Sequence, residues 1–166
     1  ENFEIKGLKR VNLIGGSNGV GKTAFLESIY AKMFSHTLID YDTVISLKDK
    51  IDLDIILPYL NLIIGEDRVS KCLKDLPYDL GHGANRIFTI FYSIINNANG
   101  CLLIDEIESG IHYSKFKMLW KAIFELSERY NCQIFATTHS HDCIDGFQES
   151  LKSDEHGTYF RLDSCK

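Results

Sequence analysis

Gly16, four further residues, then Gly21, Lys22 and Thr23 spell the pattern G-x-x-x-x-G-K-[ST] within the stretch GGSNGVGKT. These residue types at this spacing suit phosphate. Glycines let successive backbone N–H groups turn inward toward phosphate oxygens, and a helix beginning there adds its positive N-terminal end. Lys22 would reach the β- and γ-phosphates, and the Thr23 hydroxyl would ligate Mg2+. A glycine bend made only for turning needs neither the lysine nor the threonine. The expected cradle is Gly16, Ser17, Asn18, Gly19, Val20, Gly21, Lys22, Thr23 and Ala24.

Hydrolysis of a bound triphosphate also needs a carboxylate for the metal and a group that activates water. The segment CLLIDEIE supplies both at the end of an apolar run. Asp105 is expected to bind Mg2+ and Glu106 to polarise the attacking water, because two acids ending a buried strand without a role would be costly. Glu108, a turn residue further on, is expected to be solvated. The segment FATTHS puts His139 at the end of the next apolar run, where its ring can hydrogen-bond a γ-phosphate oxygen. The alternative for His139 is a cap for the helix that follows. His139, His141 and Asp142 also resemble a metal cluster, but no distant ligand set accompanies them and a helix starting there would splay them, so zinc is not expected.

Positioning these groups requires a sheet whose strand ends meet. Apolar periodicity alternates between strand and helix along the chain, which implies an α/β fold with a largely parallel central sheet flanked by helices. Residues 3–16 read as a hairpin or strand pair running into the glycine loop, and so predict an antiparallel edge. A helix follows over 22–34, with Phe25, Leu26, Ile29 and Met33 at three- and four-residue spacing. Residues 38–47 fit a strand or a loop, Pro58 is expected to break 54–64, and helical patterning returns at 68–75. Residues 84–98 read as a helix, 100–105 as a strand buried on both faces, and 114–130 as an amphipathic helix capped by Ser114. Its apolar stripe is Phe116, Leu119, Trp120, Ile123 and Phe124. A strand over 132–138, a helix over 141–151 and a last strand over 157–162 complete the series.

Composition agrees with one globular domain. Of 166 residues 45% are hydrophobic and 25% charged, enough apolar material for a sizeable core. No apolar run is long enough to span a bilayer, and the first residues lack the pattern of a signal peptide. A net charge of −5 argues against general nucleic-acid binding, although Arg68, Lys71 and Lys74 form a short basic run that reads more simply as a solvated helix face. Five cysteines without a CxxC pair read as free thiols, buried at Cys101 and Cys132, and fit a reducing cytoplasm.

The segments GGSNGVGKT, LGHGANR, LLIDEIESGIHYS and ATTHS, in this order, resemble the heads of ABC-type ATPases. The sequence is most similar to the non-transporter branch that includes the OLD (overcoming lysogenization defect) family and related AAA-type ATPases of phage defence, with SMC and DNA-repair ATPases as more distant relatives. The resemblance covers 7–145 apart from about 36–76. It implies a P-loop NTPase fold, ATP and Mg2+ as cofactors, and a sandwich of ATP between two heads in a homodimer or higher homo-oligomer. Gly81, His82 and Gly83 match the signature loop that contacts the γ-phosphate held by the other head, and Gly81 stands where a serine is usual, which implies slow turnover. Ser109 and His112 match the loop that crosses the dimer interface. The only glutamines are Gln133 and Gln148, so no Q-loop glutamine lies between Lys22 and Gly81. The resemblance further implies one head domain over 1–166, incomplete at both termini, with a reduced helical insertion over 36–76. Such a head would drive or gate an effector, a nuclease or toxin. An assembly scaffold that hardly hydrolyses and a DNA-repair head acting on nucleic acid are the alternatives. A transporter subunit is disfavoured by the missing Q-loop, and no membrane partner is expected.

Overall fold

The computed structural model describes residues 6–33, 53–66, 69, 81–153 and 156–163. Four strands make one sheet: β1 (Val11–Gly15), β2 (Cys101–Ile104), β3 (Gln133–Thr138) and β4 (Gly157–Arg161), in the order β2–β3–β1–β4. Every pairing is parallel, with Gly15 opposite Thr138 and Arg161, and Ile104 opposite Ala136. The carboxyl ends of β1, β2 and β3 therefore finish at one edge of the sheet. The residues that follow them, Gly16, Asp105 and His139, are the ones expected to do chemistry. In open parallel sheets this edge is where ligands bind.

Helices cover both faces of the sheet, over the buried residues of β1, β2 and β3. On one face, α2 (Leu53–Ile64), α3 (His82–Asn96), α4 (Phe116–Arg129) and α5 (His141–Ser150) enclose the larger core with Val11, Leu13, Ile134 and Ala136. On the other, α1 (Lys22–Met33) lays Leu26, Phe25 and Ile29 against Ile14, Cys101 and Phe135. The Met33 side chain lies outside the described ones. The expected stripe of α4 is buried throughout. Trp120, at its centre, meets Phe147 edge-on at 4.9 Å and donates its indole N–H to the Cys143 carbonyl at 3.0 Å, so the ring's one polar group is satisfied inside the core.

Two expectations change. Pro58 does not break its segment: α2 runs through it. Proline inside a helix forfeits an N–H and costs about 3 kcal/mol. Here Pro58 itself is exposed, while Ile56, Leu60 and Ile63 on the opposite side are buried in the core and offset that loss. Ser114 does not cap the helix but sits inside a 3-10 turn, Tyr113–Lys115, that leads into α4. His112 caps that turn, its Nδ1 accepting from the Ser114 N–H, while the N-cap position of α4 itself is Lys115, without a side-chain bond. No antiparallel pairing occurs among the described residues: 6–10 precede β1 without strand structure, and 3–5 lie outside the description, as do 38–47 and most of 68–75. No helix among the described residues is long and apolar enough to cross a membrane.

Cys101, Cys132 and Cys143 are buried free thiols. Burial pushes Cys101 up to about 11 and both Cys132 and Cys143 to about 12, from an ordinary value of 9.0. The unfolded chain thus loses these protons first. Stability contributed by the neutral thiols is complete below pH 9 and is lost as pH rises toward 11–12. Urea titrations across this range are expected to show the midpoint falling, and Cys132→Ala with Cys143→Ala should flatten the decline.

Candidate nucleotide site

The glycine loop leaves β1 at Gly15 and closes on the first turn of α1. Its shape depends on residues without side chains. A Cβ on Gly16 would lie 2.6 Å from the Leu162 carbonyl oxygen, because the segment after β4 runs beside the loop. Gly21 turns into the helix at φ 93°, a conformation that other residues reach only under strain. Lys22 is 8% exposed, and its ammonium donates to the carbonyls of Gly16 and Ser17, each at 2.9 Å. The lysine is thus folded across the loop that it helps to form. Thr23 and Ala24 lie exposed in the first turn of the helix.

Opposite this loop, β2 ends and the chain reverses. Glu106 has φ 46°, a left-handed conformation unusual for a side chain of its size. The reversal is pinned to the last residues of β3. The Glu106 N–H donates to Thr137 Oγ1 at 2.9 Å, the Ile107 N–H to the Thr137 carbonyl at 3.0 Å, and Thr137 Oγ1 to Asp105 Oδ1. The other carboxylate oxygen, Asp105 Oδ2, accepts from Thr23 Oγ1 at 2.8 Å. Two segments 82 residues apart in sequence are therefore joined by a hydroxyl and a carboxylate. Such oxygen donors suit a hard divalent cation.

Beside the acids lies an open cleft of about 440 Å³, lined by His82, Arg86, Asp105, Glu106, Ser109 and Gly110. Its wall is tight: a Cβ on Gly83 would lie 2.5 Å from the Gly110 carbonyl oxygen, so only glycine lets the start of α3 approach the turn. Gly81, at φ 71°, precedes α3 without a side-chain cap. Arg86 donates to the carbonyls of Asp105 at 2.7 Å and Glu106 at 3.5 Å, tying α3 to the acidic turn.

Residues 74–144 match the family model of the AAA ATPase domain. The chain thus carries part of an AAA-type P-loop ATPase domain, a match that supports ATP binding and hydrolysis as its general activity. The matched stretch takes in α3, β2, the acidic turn, α4 and β3, and with them Asp105, Glu106 and His139; the glycine loop lies outside it. No curated protein and no solved structure matches the chain.

At the carboxyl edge of the sheet Thr23 is bonded to Asp105, with Lys22 and Glu106 their neighbours in sequence, and His139 follows Thr138. His139 is 43% exposed, and its Nδ1 pairs with Glu108 Oε1 at 2.9 Å. Glu108 corrects an expectation: it is 9% exposed and not solvated, because the turn that carries it is folded onto β3. His112 is exposed, and its ring engages Ser114 Oγ at 2.9 Å, as a local turn brace. Sequence reasoning missed Thr137, whose hydroxyl joins both acidic residues to β3. A hydroxyl directly after the apolar run Ile134–Ala136 was the available signal.

Proposed function

We propose that this chain is a single ATPase head that binds Mg-ATP at 16–24, hydrolyses it with Glu106, and dimerises around the nucleotide to drive or gate an effector. The observation that carries this reading is the bond from Thr23 Oγ1 to Asp105 Oδ2, 2.8 Å, beside a lysine enclosed by its own glycine loop. Thr23 and Asp105 would hold Mg2+, which supplies charge neutralisation at the phosphates. Lys22 would exchange its loop carbonyls for β- and γ-phosphate oxygens, and the loop N–H groups would bind the remaining charge. Glu106, exposed at the reversal after Asp105, would orient and deprotonate water. His139 would meet the γ-phosphate side of the same site.

The cleft beside Glu106 supports the dimeric reading. Gly81 and His82 are exposed at its rim together with Ser109 and Gly110, available to a nucleotide held by a second copy. The resemblance to phage-defence ATPases supplies the effector class, a nuclease or toxin, and with it the preference for ATP; cysteines without a CxxC pair fit a cytoplasmic setting, and no membrane partner is proposed. Light scattering tests the assembly. Glu106→Gln is expected to double in mass with Mg-ATP and to remain a monomer with ADP; a mass unchanged by nucleotide would contradict the sandwich.

Gly81, where a serine is usual, favours a second reading, an ATP-dependent scaffold with little turnover. Single-turnover phosphate release separates the two. A head that hydrolyses loses release on Glu106→Gln, whereas a scaffold shows little change.

A further inference from the structure

Glu108 is an expensive residue to keep. Its Oε2 is buried with no hydrogen-bond partner among the described residues, and a carboxylate left partly unsatisfied in the interior costs several times an ordinary hydrogen bond. Packing alone does not require it, since apolar residues of similar volume often replace buried ionic groups without loss. Its other oxygen is committed to one residue. Oε1 accepts from the backbone N–H of His139 at 2.8 Å and faces the ring Nδ1 of the same residue at 2.9 Å. The backbone bond fixes where the chain leaves β3. The ring contact, by contrast, engages only the side chain.

We propose that Glu108 is the positioning residue for His139, holding the imidazole as the tautomer protonated on Nδ1 and leaving Nε2 as the nitrogen that acts at the nucleotide. An ionised carboxylate can only accept, so at this 2.9 Å contact the proton that would be shared comes from the ring. In the neutral ring Nε2 then carries the lone pair and accepts from water; it donates to a phosphate oxygen only when the ring is protonated. This is the arrangement by which a second residue sets the chemistry of a histidine in many sites. The position of Glu108 follows from the acidic turn. Glu106 reverses the chain, Thr137 binds the N–H groups of Glu106 and Ile107, and the Ile111 N–H closes on the Glu108 carbonyl at 3.0 Å. The segment carrying Asp105 and Glu106 thereby also orients the histidine at the end of the neighbouring strand.

The inference rests on the ATPase reading for its consequence, but its geometry is testable without nucleotide. Ring-nitrogen NMR of the 15N-labelled chain, at a pH where the ring is neutral and with His139→Gln for assignment, is expected to show the His139 proton on Nδ1. Glu108→Leu, which exchanges a half-satisfied carboxylate for apolar volume, should stay folded and lose this signature. Glu108→Gln, whose carbonyl oxygen can still accept, should retain it. With Mg-ATP, Glu108→Leu is expected to lower kcat by ~10–100-fold with KM little changed, the scale of lost support to a functional histidine. Glu108→Gln should recover most of that rate, and Glu108→Leu should add nothing to His139→Ala. A native ring protonated on Nε2, or native kcat in Glu108→Leu, would overturn the proposal. If the native chain bears the Nδ1 proton but releases no phosphate, the ATPase reading fails and the positioning stands.

Discussion

Glu106→Gln is expected to lower kcat by about 10²–10⁴-fold while Mg-ATP remains bound, the range for removing a positioned general base. The substitution keeps the side chain's size and one carbonyl oxygen but removes the ability to take a proton. Backbone contacts that form the reversal use the Glu106 N–H and carbonyl, to Thr137 and from Ser109 and Arg86, so they survive the change. The φ of 46° is no worse for glutamine than for glutamate. Turnover should therefore fall without loss of fold or affinity. Rapid-quench hydrolysis with equilibrium binding on the same variant separates the two quantities. A variant that hydrolyses at the native rate would remove Glu106 from the chemistry.

Lys22→Ala is expected to weaken Mg-ATP binding by ~100-fold, about 3 kcal/mol, the scale of one or two hydrogen bonds to a charged group. The ammonium is already confined, 8% exposed between the Gly16 and Ser17 carbonyls. A lysine so held has lost most of its rotamer freedom before the nucleotide arrives, so little ordering is left for binding to oppose. Alanine removes both the charge and the brace across the loop. Fluorescence titration with a labelled ATP analogue, read beside a thermal melt, distinguishes loss of the site from loss of the fold. Native affinity in Lys22→Ala would mean that the phosphates lie elsewhere.

The sheet was legible because its strands centre on short apolar runs between helices with clear periodicity, and 101–104 and 133–138 fall within one residue of their predicted bounds at each end. The glycine loop and the acidic pair were legible for another reason: their residue types answer a chemical demand at fixed spacing. Three of the misreadings share a cause, since each concerns what a residue faces across the fold. Glu108 reads as a turn acid from its neighbours, and only the bonds from the turn to Thr137 carry it inside. Pro58 reads as a breaker by local rule, and only the burial of Ile56, Leu60 and Ile63 explains the continuous helix. Thr137 reads as a strand residue of high β-propensity, while its role depends on Asp105 in the adjacent strand's exit.

The most direct test is calorimetric titration of the native chain with Mg-ATP, repeated without Mg2+ and with Asp105→Asn. A single saturable site per chain is predicted, weakened when either the metal or the Asp105 carboxylate is removed. Absence of saturable heat from folded protein, or equal affinity under all three conditions, would contradict a triphosphate–magnesium site between the glycine loop and the end of β2.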